Sequence, residues 1–220
     1  MPADLVTVTN PRLPVAEAYR TLRTNLEFAS LERPLRTLLV TSPGPEEDKS
    51  VVLANLAVVI AQAGKRVILV DGDLRRPRQH ELFGLSNAVG LSTVLRGEAS
   101  VALPLADGGV AGLSVLPSGP LPPNPAELLA SRRMSELIAT LSDQADMVLF
   151  DAPPVVAVTD AAILAGQVDG VLLVIHARQT RREHAQRAKD LLEKVRARLL
   201  GAVLNNVEFD ASLQPYYGGK

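Results

Sequence analysis

Short runs of valine and leucine alternate along this chain with longer segments whose apolar residues recur at helical spacing. We predict strands at six of these runs: Thr37–Thr41, Arg66–Asp71, Leu113–Pro117, Met147–Asp151, Gly170–His176 and Leu200–Asn205. We predict helices between them: Ser50–Ala63, Pro125–Leu141, Asp160–Leu164 and Arg181–Arg198. Unbroken apolar strands that alternate with helices are typical of a parallel sheet covered on both faces. The predicted fold is therefore α/β and doubly wound, with a mostly parallel sheet.

The composition is that of one globular domain. The 220 residues are 47% hydrophobic and 21% charged, so we expect a single domain over 1–220, with flexible ends at 1–13 and 213–220. A net charge of −1 gives no general attraction to nucleic acid, and the absence of cysteine excludes disulfides and thiolate metal sites. No apolar run is long enough to span a bilayer. We therefore expect any membrane association to depend on a partner or on a missing segment.

The segment from Thr41 to Ser50, with the sequence TSPGPEEDKS, lies between a predicted strand and a predicted helix. A phosphate-binding P-loop needs this setting, and its strict pattern is G-x-x-x-x-G-K-[ST]. The chain keeps the final pair, Lys49 and Ser50, but has Pro43 and Asp48 at the two glycine positions. The segment therefore predicts a P-loop NTPase fold with an altered loop.

Carboxylates end two of the predicted strands. Asp71 and Asp73 follow one strand, with Arg75 close behind, and Asp151 ends another. Because the carboxyl ends of parallel strands meet at one edge of the sheet, we expect these side chains to lie together there. Paired carboxylates can hold hydrated Mg²⁺ or take the proton of an attacking hydroxyl, and an arginine offsets their charge. For a single D-x-D the alternative is an ordinary polar turn.

In combination these motifs resemble the bacterial tyrosine kinases (BY-kinases) of capsule and exopolysaccharide synthesis. The resemblance covers nearly the whole chain and rests on Lys-Ser at 49–50, LVDGDLRRP at 69–77 and LFDAPP at 149–154. Three further segments resemble landmarks of that family: EAYRTLR at 17–23, NPAELL at 124–129 and GAVLNN at 201–206.

The resemblance implies roles for individual residues at an ATP or ADP site with Mg²⁺. Lys49 would contact the β- and γ-phosphates, with Gly44 and Val51 in the same nucleotide-binding loop. Ser50, Asp73 and Asp151 would hold the metal. Asp71 would be the base for a tyrosine hydroxyl, with Lys49 and Arg75 beside it. Asn205 would face the adenine.

The resemblance also implies partners. Glu17, Arg20 and Arg23 would form an oligomerisation helix that pairs subunits into a ring. By their spacing alone, these residues indicate only a solvated charged face. Tyr216 and Tyr217 would be the phospho-acceptors offered to a neighbouring subunit. A membrane-spanning regulator of polysaccharide chain length would be the activator, placing the domain in the cytoplasm at the inner face of the membrane.

The altered loop argues against full nucleotide affinity. BY-kinases read S-x-x-P-G-E-G-K-S or similar, whereas this chain has Glu46 and Asp48 at the glycine positions. A carboxylate about 6 Å from a phosphate charge would repel it by roughly 3 kcal/mol at an effective dielectric of about 20. Pro45 followed by three acids is also a good helix opening, so the chain could fill its anion site with its own carboxylates.

Three functions stay open. The first is a BY-kinase-like domain with weakened nucleotide binding or a pseudokinase role, which the altered loop and the tail with only two tyrosines favour. The second is a fully active tyrosine autokinase. The third is a partition- or septum-type P-loop ATPase, which typically carries an additional early lysine where this chain has Gly44.

Overall fold

The computed structural model describes residues 5–98 and 103–208, which contain one seven-stranded sheet. Its strands are β1 (Thr37–Thr41), β2 (Val67–Asp71), β3 (Ala106–Asp107), β4 (Leu113–Leu116), β5 (Met147–Asp151), β6 (Gly170–His176) and β7 (Leu199–Asn205). They are ordered β3-β4-β2-β5-β1-β6-β7, and every pairing is parallel except that of β3 with β4. The predicted doubly wound, mostly parallel α/β fold is confirmed.

Helices pack on both faces of this sheet. They are α1 (Val6–Thr9), α2 (Pro14–Ala29), α3 (Lys49–Gln62), α4 (Gln79–Leu82), α5 (Leu91–Arg96), α6 (Pro125–Leu129), α7 (Arg132–Gln144), α8 (Asp160–Ala165) and α9 (Arg182–Lys194). Alternate strand residues point to opposite faces, so Leu39 joins the core beneath α7 to α9 and Leu38 joins the core beneath α1 to α4. Within the described residues no helix is both long and apolar enough to cross a bilayer.

Helix α3 lies in the middle of one face. Its residues from Val52 to Ala61 are all buried, which explains why its sequence is apolar on every side. The helix ends before Gly64, whose φ of +87° is the left-handed conformation that commonly terminates helices. Residues at the start of α3 are thereby held rigidly at the carboxyl edge of the sheet.

The N-terminal segment is more ordered than the sequence predicts. Leu5 and Thr7 are fully buried, and the Thr7 backbone N–H and hydroxyl both donate to Asn55 Oδ1, at 3.1 and 2.8 Å. The expectation of a flexible end over residues 1–13 is therefore wrong for Leu5 to Thr9. An isolated four-residue turn carries no periodic signal, and its contacts with α2 and α3 order it.

The predicted helix Pro125–Leu141 is two helices. The break falls at Ala130 and Ser131, because Ser131 adopts an extended backbone and caps α7 by accepting a hydrogen bond from the Met134 N–H. A serine at this place is an N-cap signal that the apolar periodicity conceals.

Candidate nucleotide site

The loop between β1 and α3 keeps a backbone suited to glycine even though it lacks the glycines. Glu46 has a φ of 64° and Asp48 a φ of 56°. This left-handed region is favoured by glycine and better tolerated by aspartate than by most residues. The two substituted residues therefore occupy the positions where the loop needs positive φ.

The acids of this loop do not open the helix. Helix α3 begins at Lys49, so the expectation of a helix opening at Pro45 is wrong. Glu47 is buried, and its carboxylate accepts hydrogen bonds from the His176 N–H at 2.5 Å and from the Thr180 hydroxyl. Its side chain thus ties the loop to the end of β6, while the Glu46 side chain is exposed.

A cavity of about 180 Å³ lies inside the loop. Gly44, Lys49 and Ser50 line it, together with Asp73 and the arginines at 76 and 78. Within the described residues, no acceptor binds the backbone N–H groups of residues 46–50. Free N–H groups that converge at a helix N-terminus are the donors that hold a phosphate. This part of the site therefore fits a nucleotide phosphate.

Lys49 lies between two of the predicted carboxylates. Its Nζ atom is 2.9 Å from Asp73 Oδ2 and 2.9 Å from Asp151 Oδ1, and 3.3 Å from Ser50 Oγ. Burial by itself would lower the pKa of Lys49, but Asp151 and Asp73 outweigh it and the pKa is raised. Lys49 is therefore a permanent positive charge in the site.

Asp71, like Asp151, is completely buried. Its Oδ2 accepts hydrogen bonds from the N–H groups of Arg78 and Gln79, at 3.1 and 2.9 Å, and its Oδ1 has no partner among the described residues. Burial first, and the nearby Asp151 second, raise the pKa of Asp71 to about 8. A carboxyl with such a pKa can exchange a proton near neutral pH, as a general base must.

Asp73 and Arg75 contact different partners. Asp73 Oδ1 accepts hydrogen bonds from the N–H groups of Arg75 and Arg76, which leaves Oδ2 for Lys49. The Arg75 guanidinium makes two hydrogen bonds to the buried Asp160, at 2.9 and 3.0 Å. The arginine therefore offsets mainly the charge of Asp160, with a smaller contribution from Asp73.

The donor set fits Mg²⁺ only when phosphate oxygens complete it. Ser50, Asp73 and Asp151 all contact Lys49 Nζ, and Ser50 and Asp73 line the cavity. No cluster of three acidic or histidine side chains in the described part of the chain forms a metal cage. Mg²⁺ usually binds through one or two carboxylates together with substrate phosphates. The geometry thus agrees with a metal that arrives with its nucleotide.

The remaining predicted residues lie farther out. Val51 is in the first turn of α3, and the Asn205 side-chain amide donates to the Glu47 carbonyl at 3.3 Å. In α2, Glu17 pairs with Arg20 at 2.7 Å, whereas Arg23 turns toward the Val59 carbonyl at 3.4 Å. Tyr216 and Tyr217 lie outside the described residues.

Sequence reasoning missed Gln79 and the cavity-lining Arg76 and Arg78. Gln79 is fully buried and donates to Asp151 Oδ2 and to the Ser50 carbonyl. A glutamine in a four-residue helix belongs to no general motif, so no sequence signal marks it. The arginines follow Arg75 directly, and the DLRRPR run could have indicated them.

Comparison with known proteins gives consistent matches. The ParA family model, described as the NUBPL iron-transfer P-loop NTPase, matches residues 37–213. Tyrosine-protein kinase YwqD of Bacillus subtilis is 45% identical over 100% of this chain and 93% of its own length. The kinase domain of Escherichia coli tyrosine kinase ETK has a TM-score of 0.90 at 38% identity, covering 94% of this chain and 82% of that one. The Pyrococcus furiosus cell division ATPase MinD is less similar, with a TM-score of 0.65 at 29% identity over 77% and 71% of the two chains.

Proposed function

This chain belongs to the bacterial tyrosine-protein kinases, and from that premise we propose that it is an ATP-dependent tyrosine kinase domain with weakened nucleotide binding. One observation carries the proposal: Lys49, Asp73 and Asp151 form a buried cluster beside a phosphate-sized cavity whose loop holds Glu46 and Asp48. The role in capsular or exopolysaccharide production follows from the family resemblance.

In this proposal each residue of the cluster has one task. The N–H groups of residues 46–50 and the Lys49 ammonium hold the β- and γ-phosphates, and Ser50, Asp73 and Asp151 hold Mg²⁺. When bound, ATP would supply the phosphoryl group and its Mg²⁺ would offset the charge that develops during transfer. Asp71 accepts the proton of the tyrosine hydroxyl. Its free oxygen, Oδ1, is inaccessible to solvent, so the residues that cover it must shift to admit the hydroxyl.

The weakening comes from charge rather than from backbone shape. The loop already adopts the left-handed backbone at positions 46 and 48, so the two acids leave that conformation intact. Asp48 lines the cavity and is half-buried, where solvent screens its charge less than at an exposed site. Repulsion of roughly 3 kcal/mol would lower the affinity about a hundredfold, and rotation of the side chain toward solvent would reduce this effect.

Calorimetric titration with Mg-ADP tests the proposal. The Asp48→Asn variant removes the charge and tolerates the same backbone, so we expect it to bind about tenfold more tightly than the unmodified chain. We expect the double variant Glu46→Gly, Asp48→Gly to gain up to about a hundredfold. Micromolar binding by the unmodified chain that neither variant improves would contradict weakening, and no binding by any variant would contradict a nucleotide site.

A fully active autokinase is the second candidate. It is favoured by the position of the other two loop acids, since Glu47 contacts the end of β6 and Glu46 faces solvent. Incubation with ATP and Mg²⁺ followed by phosphotyrosine detection separates the two candidates. Strong phosphorylation by the unmodified chain supports full activity, whereas phosphorylation gained only with the glycine-restored loop supports weakening.

A partition- or septum-type ATPase is the third candidate, and nucleotide-dependent dimerisation without phosphotyrosine would support it.

We further propose that the domain assembles into a ring through α2 and works at the inner face of the membrane with a membrane-spanning regulator. Support comes from the E-x-x-R-x-x-R pattern, whose Glu17 and Arg20 lie on the outer surface of α2. The tyrosines at 216 and 217 would be the acceptors in a neighbouring subunit.

A further inference from the structure

Gln79 contacts three of the segments that make up the nucleotide site. Its backbone N–H donates to Asp71 Oδ2 at 2.9 Å, and its side-chain amide donates to Asp151 Oδ2 at 2.8 Å and to the Ser50 carbonyl at 3.2 Å. One residue thus touches the ends of β2 and β5 and the start of α3. None of its surface is exposed to solvent.

The place of Gln79 in the fold does not depend on its side-chain amide. Helix α4 is held by Phe83 at its C-terminal end, which is buried in the core beneath α3, and by Leu82, which packs against the same core. The backbone hydrogen bond to Asp71 also survives any change of the Gln79 side chain. The position of α4 therefore does not require the Gln79 amide, whose hydrogen bonds go to residues of the nucleotide site.

The amide fixes the orientation of the Asp151 carboxylate. Lys49 contacts Oδ1 of Asp151 and Gln79 contacts Oδ2, so the carboxylate is held from both sides. A second cation at the position of Gln79 would neutralise the metal-binding charge, whereas a neutral amide restrains the carboxylate and leaves its charge available. Groups that orient metal ligands in this way tune metal affinity.

A second feature also points to a ligand. The side-chain oxygen of Gln79, Oε1, is buried without a hydrogen-bond donor among the described residues, and so is Asp71 Oδ1. Buried acceptors are nearly always satisfied in folded proteins, often by water or an ion. Two unsatisfied acceptors on residues joined by a hydrogen bond suit the hydration shell of a bound metal.

We propose that Gln79 is a positioning residue whose side-chain amide orients Asp151 for the Mg²⁺ of a bound nucleotide. The inference rests on the proposed nucleotide site. It assigns to Gln79 a specific effect: the gain in nucleotide affinity that Mg²⁺ provides depends on the Gln79 amide, while affinity for the metal-free nucleotide does not.

The test measures the dissociation constant of ADP in EDTA and with Mg²⁺. The ratio of the constant in EDTA to the constant with Mg²⁺ gives the gain in affinity that the metal provides. It uses the full chain with the loop restored by Glu46→Gly and Asp48→Gly, so that binding is measurable. Gln79→Met keeps the length of the side chain and Gln79→Leu changes its shape, and both remove the amide. We expect either variant to reduce the ratio about tenfold and to leave the constant in EDTA within about twofold.

Two controls separate the possible failures. Gln186→Leu, at an exposed glutamine of α9, should leave the ratio unchanged. Because partial unfolding lowers the amount of active protein and not the ratio, a poorly folding variant still gives an answer. An unchanged ratio in both Gln79 variants would overturn the inference, whereas no ADP binding by the glycine-restored parent would overturn the proposed nucleotide site itself.

Discussion

Asp71 is a carboxyl group that the fold buries completely, with one oxygen held by two backbone N–H groups and the other without a partner in the described part of the chain. Burial penalises the charged form, and Asp151 adds repulsion, so the pKa of Asp71 rises to about 8 in the folded chain. In the unfolded chain the same group titrates near 4. The residue therefore weakens the fold at the pH where catalysis would need its charge.

Replacing Asp71 with asparagine should stabilise the protein in a pH-dependent way. Because the folded pKa is raised, the contribution of Asp71 to stability is fully present below about pH 4 and is lost as the pH rises from about 4 toward about 8. Asparagine does not titrate, so we expect Asp71→Asn to be more stable at pH 8 by up to about 5 kcal/mol, the free-energy equivalent of a shift from about 4 to about 8, and to lose this advantage near pH 4. Urea unfolding between these pH values measures the difference.

The exposed Asp143, changed to asparagine, is the control for that experiment. It should show little difference in the free energy of unfolding at any pH. A difference for Asp71→Asn that does not vary with pH, or a less stable variant at pH 8, would contradict the burial of a titrating carboxyl at this position.

At the scale of elements, the β1–α3 loop is held in place by the neighbouring strands. The Glu47 carboxylate accepts a hydrogen bond from the His176 N–H at the end of β6. The backbone carbonyl of Glu47 accepts one from the side-chain amide of Asn205 at the end of β7. Asn205, expected at the adenine, therefore also supports the loop. The β1–α3 loop is thus fixed by tertiary contacts, in addition to its own turn geometry.

Removing this contact should loosen the loop. We expect Glu47→Ala to lower the free energy of unfolding by about 2 kcal/mol, because a buried acceptor is lost and its donors lose a partner. The amides of His176, which donates to the Glu47 carboxylate, and of Val52, which donates to the Asp48 carbonyl, should exchange hydrogen faster, as nuclear magnetic resonance can measure. Glu46→Ala, at an exposed site of the same loop, should stay within about 0.5 kcal/mol. Equal effects of the two variants would contradict the anchoring role.

The sequence predicted the elements that carry a strong repeating pattern. Strands β1, β5 and β6 have the predicted bounds, because each is an unbroken apolar run. Helices α4 and α5 and the two-residue β3 were missed because such short elements contain too few residues to display a period.

The candidate site shows the same difference between residues that a local sequence pattern marks and residues that it does not. Asp71 and Asp151 were predictable because each ends a strand, and their strands pair in register. Gln79 and the inward turn of Glu47 were not, because both depend on which side chains the fold brings opposite them. The position of Arg75 beside Asp160 likewise depends on an approach across 85 residues of sequence.

At the scale of the whole molecule, α2 packs on the same face of the sheet as α3 and presents charged residues to solvent. Glu17 and Arg20 form an ion pair and are both partly exposed, and Arg20 also donates to the Pro11 carbonyl at 2.8 Å. An exposed ion pair contributes at most about 1 kcal/mol to stability, so an approaching subunit can replace it at little cost. Arg23 is less exposed and donates to the Val59 carbonyl of α3.

If α2 is the assembly surface, we expect the double variant Glu17→Ala, Arg20→Ala to reduce the molar mass that light scattering measures. The free energy of unfolding should change by about 1 kcal/mol or less, because an exposed ion pair contributes little to folding. The pair of Arg132 with Glu136 offers a matched control, because it is also exposed but lies on α7, which packs against the opposite face of the sheet. Arg132→Ala should leave the molar mass unchanged. If both variants lower it equally, or if neither does while the unmodified chain forms an oligomer, α2 is not the assembly surface.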